Sequence, residues 1–244
     1  MQLTIVIPTY NEAENLPKLV SALFALKLPA DLHLLIVDDN SPDGSGELAE
    51  TLAKNHLGKM SVLHRQGKLG LGTAYIQGFE RALADGADAV LQMDADFSHP
   101  IEKISEMLIA LQTTDFVIGS RYVSGGKLDE RWSLWRKTLS GFGNFYARTI
   151  LNTPIRDMTG GFRLWPRTTL SAMPMARVRS NGYAFQVEMA YIAHKLGLRA
   201  REIPIYFADR RWGESKMSFN IQREAALRVW QILWEYRDLH PIPR

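Results

Sequence analysis

Residues 88–100 read "DAVLQMDADFSHP". A near-continuous apolar run ends in two aspartates one residue apart, Asp94 and Asp96, and Ser98, His99 and Pro100 follow at once. A short apolar run without polar alternation is the pattern of a strand covered on both faces. Four further stretches share it: "LTIVIP" (3–8), "LHLLIVDD" (32–39), "MSVLH" (60–64) and "DFVIGS" (115–120). Amphipathic segments at 12–26, 43–56, 71–85 and 101–112 lie between them. In the first, Leu16, Leu19, Val20, Leu23 and Phe24 recur at helical spacing, with Asn11 as the predicted N-cap and Glu14 three positions on. Strands that alternate with helices predict an α/β fold with a mostly parallel central sheet and helices on both faces.

After residue 120 the rhythm changes. "VSGGKLDE" reads as a flexible loop, 132–150 as a helix with aromatics on several sides, and "GGFRLW" (160–165) as a further strand. Residues 183–197 read as a helix, 200–207 as a strand, 209–218 as a polar loop and 219–237 as a last helix. The expected organisation is a single catalytic domain over 1–220, with 221–244 an amphipathic C-terminal helix and tail on the domain or on a membrane surface.

Bulk properties narrow the function. A chain of 244 residues buries about 70% of its unfolded surface and needs no staples. With no cysteine, disulfides, thiolate metal sites and cysteine nucleophiles are excluded. The start "MQLTIVIPTYNE" shows no signal-peptide pattern, and no apolar run is long enough to span a bilayer. The net charge is +3, but residues 120–150 carry +4 and 210–244 carry +3, leaving −4 for the remainder. Both basic segments are rich in aromatic residues. Nucleic acid, an anionic membrane surface, phosphate ligands or plain solvated surface each fit that distribution.

The polar residues gather at strand ends, where open α/β sheets bind ligands. Glu12, Asp38, Asp39, Asp94, Asp96 and Arg121 occupy four successive ends and describe one site better than four unrelated loops. The first strand runs into Pro-Thr-Tyr-Asn-Glu, and "GKLGLGTAY" (67–75) does not match a dinucleotide glycine fingerprint. Residues two apart on extended backbone point the same way, so Asp94 and Asp96 can share a Mg²⁺ or Mn²⁺ that also takes diphosphate oxygens. His64, His99 and His194 lack zinc-ligand spacing. The acidic strand ends argue against a phosphate backbone, hence against nucleic acid.

Eight motifs occur in order: "IVIPTYNEAENL", "IVDDNSPDGS", "GLGTAYIQGF", "MDADFSHP", "VIGSRYVSGG", "DMTGGFR", "GYAFQVEM" and "EIPIYFADRRWGESKMS". Together they resemble the dolichol- and polyprenol-phosphate mannosyltransferases, inverting enzymes of the GT-A type. The resemblance runs from about residue 3 to residue 220. It implies GDP-mannose as donor, polyprenyl phosphate as acceptor, Mg²⁺ or Mn²⁺, and a peripheral position at the cytoplasmic face of a membrane. By the same resemblance, Pro8, Tyr10, Glu12 and Asp39 hold the nucleoside, with Asp94 beside them, and Asp94 and Asp96 hold the metal. Ser98 stands where some relatives place a further metal contact as Gln. Arg121, Arg136, Ser140, Arg211 and Lys216 match positions around the donor diphosphate and the acceptor phosphate; Asp96, Arg121, Arg211 and Lys216 are the expected catalytic set.

Physical chemistry supports that allocation. A phosphomonoester is largely dianionic at pH 7, so the acceptor is already a nucleophile and cations suffice to join two anions. Glu188 is then expected to orient an arginine or support packing rather than act as a base. Trp132, Trp135, Phe142, Phe145 and Tyr146, and near the end Leu227, Trp230, Leu233, Trp234 and Tyr236, lie among basic residues and suit an interfacial position or a plain core. Transfer of glucose from UDP-glucose, and a non-catalytic nucleotide-sugar-binding protein at a membrane surface, are the alternatives.

Overall fold

The structure, a computed structural model, describes residues 1–209 and 219–243, with the backbone alone for 219–225. Seven strands form the central sheet: β1 (Gln2–Thr9), β2 (Asp31–Asp38), β3 (Met60–His64), β4 (Ala89–Gln92), β5 (Phe116–Ser120), β7 (Arg163–Pro166) and β8 (Ala200–Pro204). Their spatial order is β3-β2-β1-β4-β7-β5-β8. Every neighbouring pair is parallel except the two made by β7, which runs antiparallel to β4 and β5. The mostly parallel sheet expected from the apolar runs is present.

Alternation within β1 explains why its sequence is near-continuously apolar. Leu3, Ile5 and Ile7 face one side with Leu34 and Ile36 of β2. Val6 faces the other with Leu35 and Val37. Both faces are covered, so neither set of alternating positions is left polar. Helices α1 (Leu16–Phe24) and α4 (Ile104–Leu111) cover the first face; α3 (Leu71–Ala84), α7 (Gly182–Lys195) and α8 (Phe219–Glu235) cover the second. Helices α2 (Ser45–Asn55), α5 (Leu134–Leu151) and α6 (Arg167–Ala172) complete the set.

Three sequence expectations change. Helix α1 begins at Leu16 behind Asn15, not at Asn11, because Pro17 fits only the first helical turn. Asn11 instead takes a left-handed backbone with φ +61°. The segment expected as a flexible loop contains β6 (Lys127–Leu128), paired parallel with β9 (Tyr206–Phe207). Gly126 permits this, since a Cβ there would lie 2.6 Å from the Ser120 carbonyl oxygen. The fourth strand stops at Gln92, so Asp94 and Asp96 sit on the turn that follows it.

The antiparallel β7 positions the site. Its N-terminal end, not its C-terminal end, lies beside the C-terminal ends of β4 and β5. The loop 157–162 is thereby delivered to the edge where the other strands end. No helix among the described residues is long and apolar enough to cross a membrane.

Candidate active site

Two loops are stitched together at the β1–β2 end of the edge. The Glu12 amide donates to Ser45 Oγ (2.9 Å), the Ala13 amide to Asp43 Oδ2 (3.1 Å) and the Asn11 amide to Ser41 Oγ (3.2 Å). Ser41 Oγ in turn donates to Asp38 Oδ1 (2.6 Å). The Glu12 carboxylate accepts from Asn15 Nδ2 (2.7 Å). Pro8 is a β1 residue in register with Val37. Tyr10 presents its ring to Lys68, whose Nζ is 4.0 Å from the centroid. Buried Asp39 pairs with Arg65 Nη1, and Arg65 also donates to Thr73 Oγ1 (2.5 Å) and Gln77 Oε1 (3.0 Å). Burial raises the Asp39 pKa, and Arg65 only partly offsets that. Arg65 was not singled out from sequence; nothing in "LHRQGK" distinguishes it from a solvated basic residue.

The turn after β4 carries the carboxylate pair. The Asp94 amide donates to His99 Nδ1 (3.1 Å), and Tyr75 OH donates to Asp94 Oδ1 (3.3 Å). His99 is buried, stacked on Phe162 (centroids 5.1 Å apart) and edge-on to Phe207. Burial lowers its pKa, so the ring is neutral at pH 7. Because Nδ1 accepts, its proton sits on Nε2, 4.0 Å from Asp94 Oδ2. Burial and the nearby carboxylates raise the Tyr75 pKa far above its usual value, which keeps the hydroxyl a donor. Asp96 is buried and accepts from the Ser98 amide (3.0 Å), with Phe97 between them at φ +60°.

This turn fits a hard divalent ion. Both carboxylates lie close enough to act electrostatically on His99 and on Tyr75. Ser98 Oγ is buried with no hydrogen-bond partner among the described residues. No group of three or more acidic, His or Cys side chains among the described residues could hold an ion alone. Two carboxylates are a hard oxygen set of the kind Mg²⁺ or Mn²⁺ takes together with diphosphate oxygens and water.

Across the edge, Arg121 follows β5 directly. Its Nε donates to Asp157 Oδ2 (2.8 Å) and its Nη2 to Asp157 Oδ1 (2.6 Å) and Thr159 Oγ1 (2.8 Å). The Arg121 and Gly160 amides also donate to Asp157, which is fully buried. Burial works against both charges, yet the pairing prevails: it raises the Arg121 pKa and holds Asp157 below the usual carboxylate range. Asp157 was missed as a site residue. The signal was the carboxylate in "DMTGGFR", but only the antiparallel β7 shows where it goes.

Helix α5 supports the same loop. Asn144 Nδ2 donates to Thr159 Oγ1 (3.0 Å), and its Oδ1 accepts from the Met158 and Thr159 amides. Ser140, one turn earlier, accepts from Tyr122 OH (2.6 Å). Arg136 lies 3.6 Å over the Trp132 ring and donates to Asp209 Oδ1 (3.0 Å). The structure therefore brings Asp94, Asp96, Ser98 and Arg121 to one edge, with Arg136 and Ser140 on α5. Arg211 and Lys216 lie outside the described residues.

Glu188 is fully buried in α7 and saturated with donors. It accepts from the Ser180 amide (2.7 Å), Tyr236 OH (2.8 Å), Arg228 Nη2 (2.9 Å) and the Arg179 amide (3.2 Å). It fastens α8 to α7, the packing role expected for it. Trp132 and Tyr236, grouped in sequence with the interfacial aromatics, are buried. On α5, Leu134, Trp135, Phe142 and Phe145 are exposed, and on α8 Leu227, Trp230 and Trp234 are. The two helices touch, with Trp230 Nε1 donating to Tyr146 OH (3.0 Å).

Comparison with known proteins agrees with this architecture. Residues 4–172 match the family described as glycosyl transferase family 2. The chain is 44% identical over 229 residues to an undecaprenyl-phosphate mannosyltransferase of Micrococcus luteus, covering 94% of this chain and 93% of that one. It is 42% identical over 226 residues to a polyprenol monophosphomannose synthase of Mycolicibacterium smegmatis, covering 92% and 84%. Among solved structures, glucosyl-3-phosphoglycerate synthase of Mycobacterium tuberculosis, in complex with Mn²⁺, UDP and phosphoglyceric acid, superposes with a TM-score of 0.67. That match has 16% identity and covers all of this chain and 80% of that one. Mannosyl-3-phosphoglycerate synthase of Rubrobacter xylanophilus gives 0.66 at 16% identity, over 97% of this chain and 74% of that one. These last two show the GT-A fold alone. By its sequence match and its fold, the chain belongs to glycosyl transferase family 2.

Proposed function

We propose that the protein transfers mannose from GDP-mannose to a polyprenyl phosphate with inversion, giving polyprenyl phosphate β-mannose and GDP. The observation that carries this reading is the carboxylate pair Asp94 and Asp96 on the same sheet edge as Arg121. One half of that edge suits a metal-bound diphosphate and the other suits a phosphate. The names of the two bacterial relatives supply the sugar and the acceptor class.

Pro8, Tyr10, Glu12 and Asp39 hold the nucleoside end. Asp94 and Asp96 hold Mg²⁺ or Mn²⁺, with Ser98 Oγ as a further oxygen at that turn. The ion supplies charge stabilisation for the departing diphosphate. Arg121, Arg136 and Ser140 receive the acceptor phosphate, and Arg211 and Lys216 complete the cationic set. The acceptor dianion needs no base; its oxygen attacks the anomeric carbon in line as the bond to the diphosphate oxygen breaks. Asp157 keeps the Arg121 fork in one orientation, and Nη1 is its guanidinium nitrogen with no partner among the described residues. Arg supplies planar donors suited to phosphate.

Residues 1–220 carry the transfer, and 221–244 form an amphipathic helix and tail packed on the domain, with their exposed side turned to the membrane surface. The exposed aromatic and aliphatic side chains of α5 and α8, with Lys137 and Arg237 beside them, suit a peripheral position at the cytoplasmic face of an anionic membrane. The test is transfer of label from GDP-mannose to a short polyprenyl phosphate by purified protein, with UDP-glucose run in parallel.

A further inference from the structure

A chain of buried hydrogen bonds fixes an amide that the account so far does not use. Trp165 on β7 donates from Nε1 to Gln92 Oε1 (2.8 Å). An indole nitrogen only donates, so the atom facing it must be the Gln92 oxygen. The Gln92 amide nitrogen then donates to Gln186 Oε1 (2.8 Å). Gln186, buried on α7, is left with its NH₂ pointing away from Gln92. That NH₂ donates to no described residue.

It points to the site. A Cβ placed on Gly161 would lie 3.4 Å from Gln186 Nε2, 3.6 Å from His99 Cε1 and 3.9 Å from Asp94 Oδ1. Gly161, with no side chain, thus faces an amide donor on one side and a carboxylate acceptor on another. A phosphate oxygen only accepts, so it can use the amide but not the Asp94 carboxylate without the ion between them. A hydroxyl both donates and accepts, and so matches the pair.

We infer that Gln186 contacts the substrate and reads a hydroxyl of the transferred sugar, with Asp94 Oδ1 as the opposite partner. The inference rests on the reading of this edge as a nucleotide-sugar site. Trp165 and Gln92 are positioning residues that set the direction of the amide, and Gly161 faces both the amide and Asp94.

The test compares binding of GDP and GDP-mannose to the whole protein by titration calorimetry with Mg²⁺. Loss of one hydrogen bond, about 1.4 kcal/mol, corresponds to about tenfold in affinity. Gln186→Leu should therefore raise the Kd for GDP-mannose about tenfold and leave the Kd for GDP unchanged. Gly161→Ala, whose methyl would meet the Gln186 amide at ordinary contact distance while leaving the relay's hydrogen bonds in place, should do the same and serves if the Leu variant does not fold. Equal losses for both ligands, or no loss for GDP-mannose, overturn the inference. If the wild type binds only UDP and UDP-glucose, the mannose reading fails, and the same comparison with that pair decides the role of Gln186. If it binds neither pair, both readings fail.

Discussion

The Arg121 guanidinium is gripped edge-on by the Asp157 carboxylate, with Nε 2.8 Å from Oδ2 and Nη2 2.6 Å from Oδ1. The arginine directly follows β5 and the aspartate comes from the loop entering β7. Both are buried, so each depends on the other. Removing one partner of such a pair costs roughly 3–5 kcal/mol, because the remaining charge stays buried. Asp157→Asn should lower stability by that order in denaturant titration and also reduce kcat, as the Arg121 fork loses its fixed orientation.

The same pair predicts an acid limb. The Asp157 pKa is held below its ordinary value of 3.8 when folded. A depressed carboxylate contributes stability that is present above the unfolded pKa and is lost as pH falls through the folded one. The melting temperature of the wild type should therefore fall below about pH 4. Asp157→Asn should show a lower melting temperature with a flatter acid limb. Equal slopes in the two proteins would remove Asp157 from the account of acid sensitivity.

Asp96→Ala should abolish turnover, and chelation should do so reversibly in the wild type, with Mg²⁺ or Mn²⁺ restoring transfer. Two carboxylates with a diphosphate hold such an ion; one carboxylate does not place it. Undiminished transfer in excess chelator would contradict the metal assignment.

Glu188→Gln separates support from chemistry. Glu188 accepts from four donors, one on α8 (Arg228) and one on the residue that follows it (Tyr236). The variant should lose roughly 1–3 kcal/mol of stability while keeping transfer. A general base contributes about 100-fold or more. Activity below about one-hundredth of wild type in a folded variant would show that a base is needed after all.

Most of the fold was legible because strands covered on both faces carry near-continuous apolar runs, as β1, β2, β4 and β5 do. Asp94 and Asp96 were legible because a paired carboxylate at the end of an apolar run has few structural uses. Asp157, Arg65 and Gln186 were not. Their partners are 36, 26 and 94 residues away, and no local period records such pairings. The direction of β7 decided where the 157–162 loop lies, and four residues of strand carry no sign of direction. Sequence left Trp132 and Tyr236 open between lipid and core for a related reason. An aromatic beside basic residues looks the same in sequence whether it faces lipid or, like Trp132, packs against Phe207 and Arg136.

The exposed side chains of α5 and α8 bear on membrane binding. Serine at Trp135, Phe142 and Trp234 should weaken flotation with anionic vesicles, while leaving GDP-mannose binding unchanged. Each loses an exposed apolar contact of about 25 cal/mol per Å², with little effect on the core. Flotation equal to wild type would place the membrane contact elsewhere.

The most direct measurement follows radiolabel from GDP-mannose, and separately from UDP-glucose, into the organic phase with short polyprenyl phosphate and Mg²⁺. The account predicts transfer from GDP-mannose, abolished in Asp96→Ala. Label entering only from UDP-glucose, or from neither donor, would contradict it.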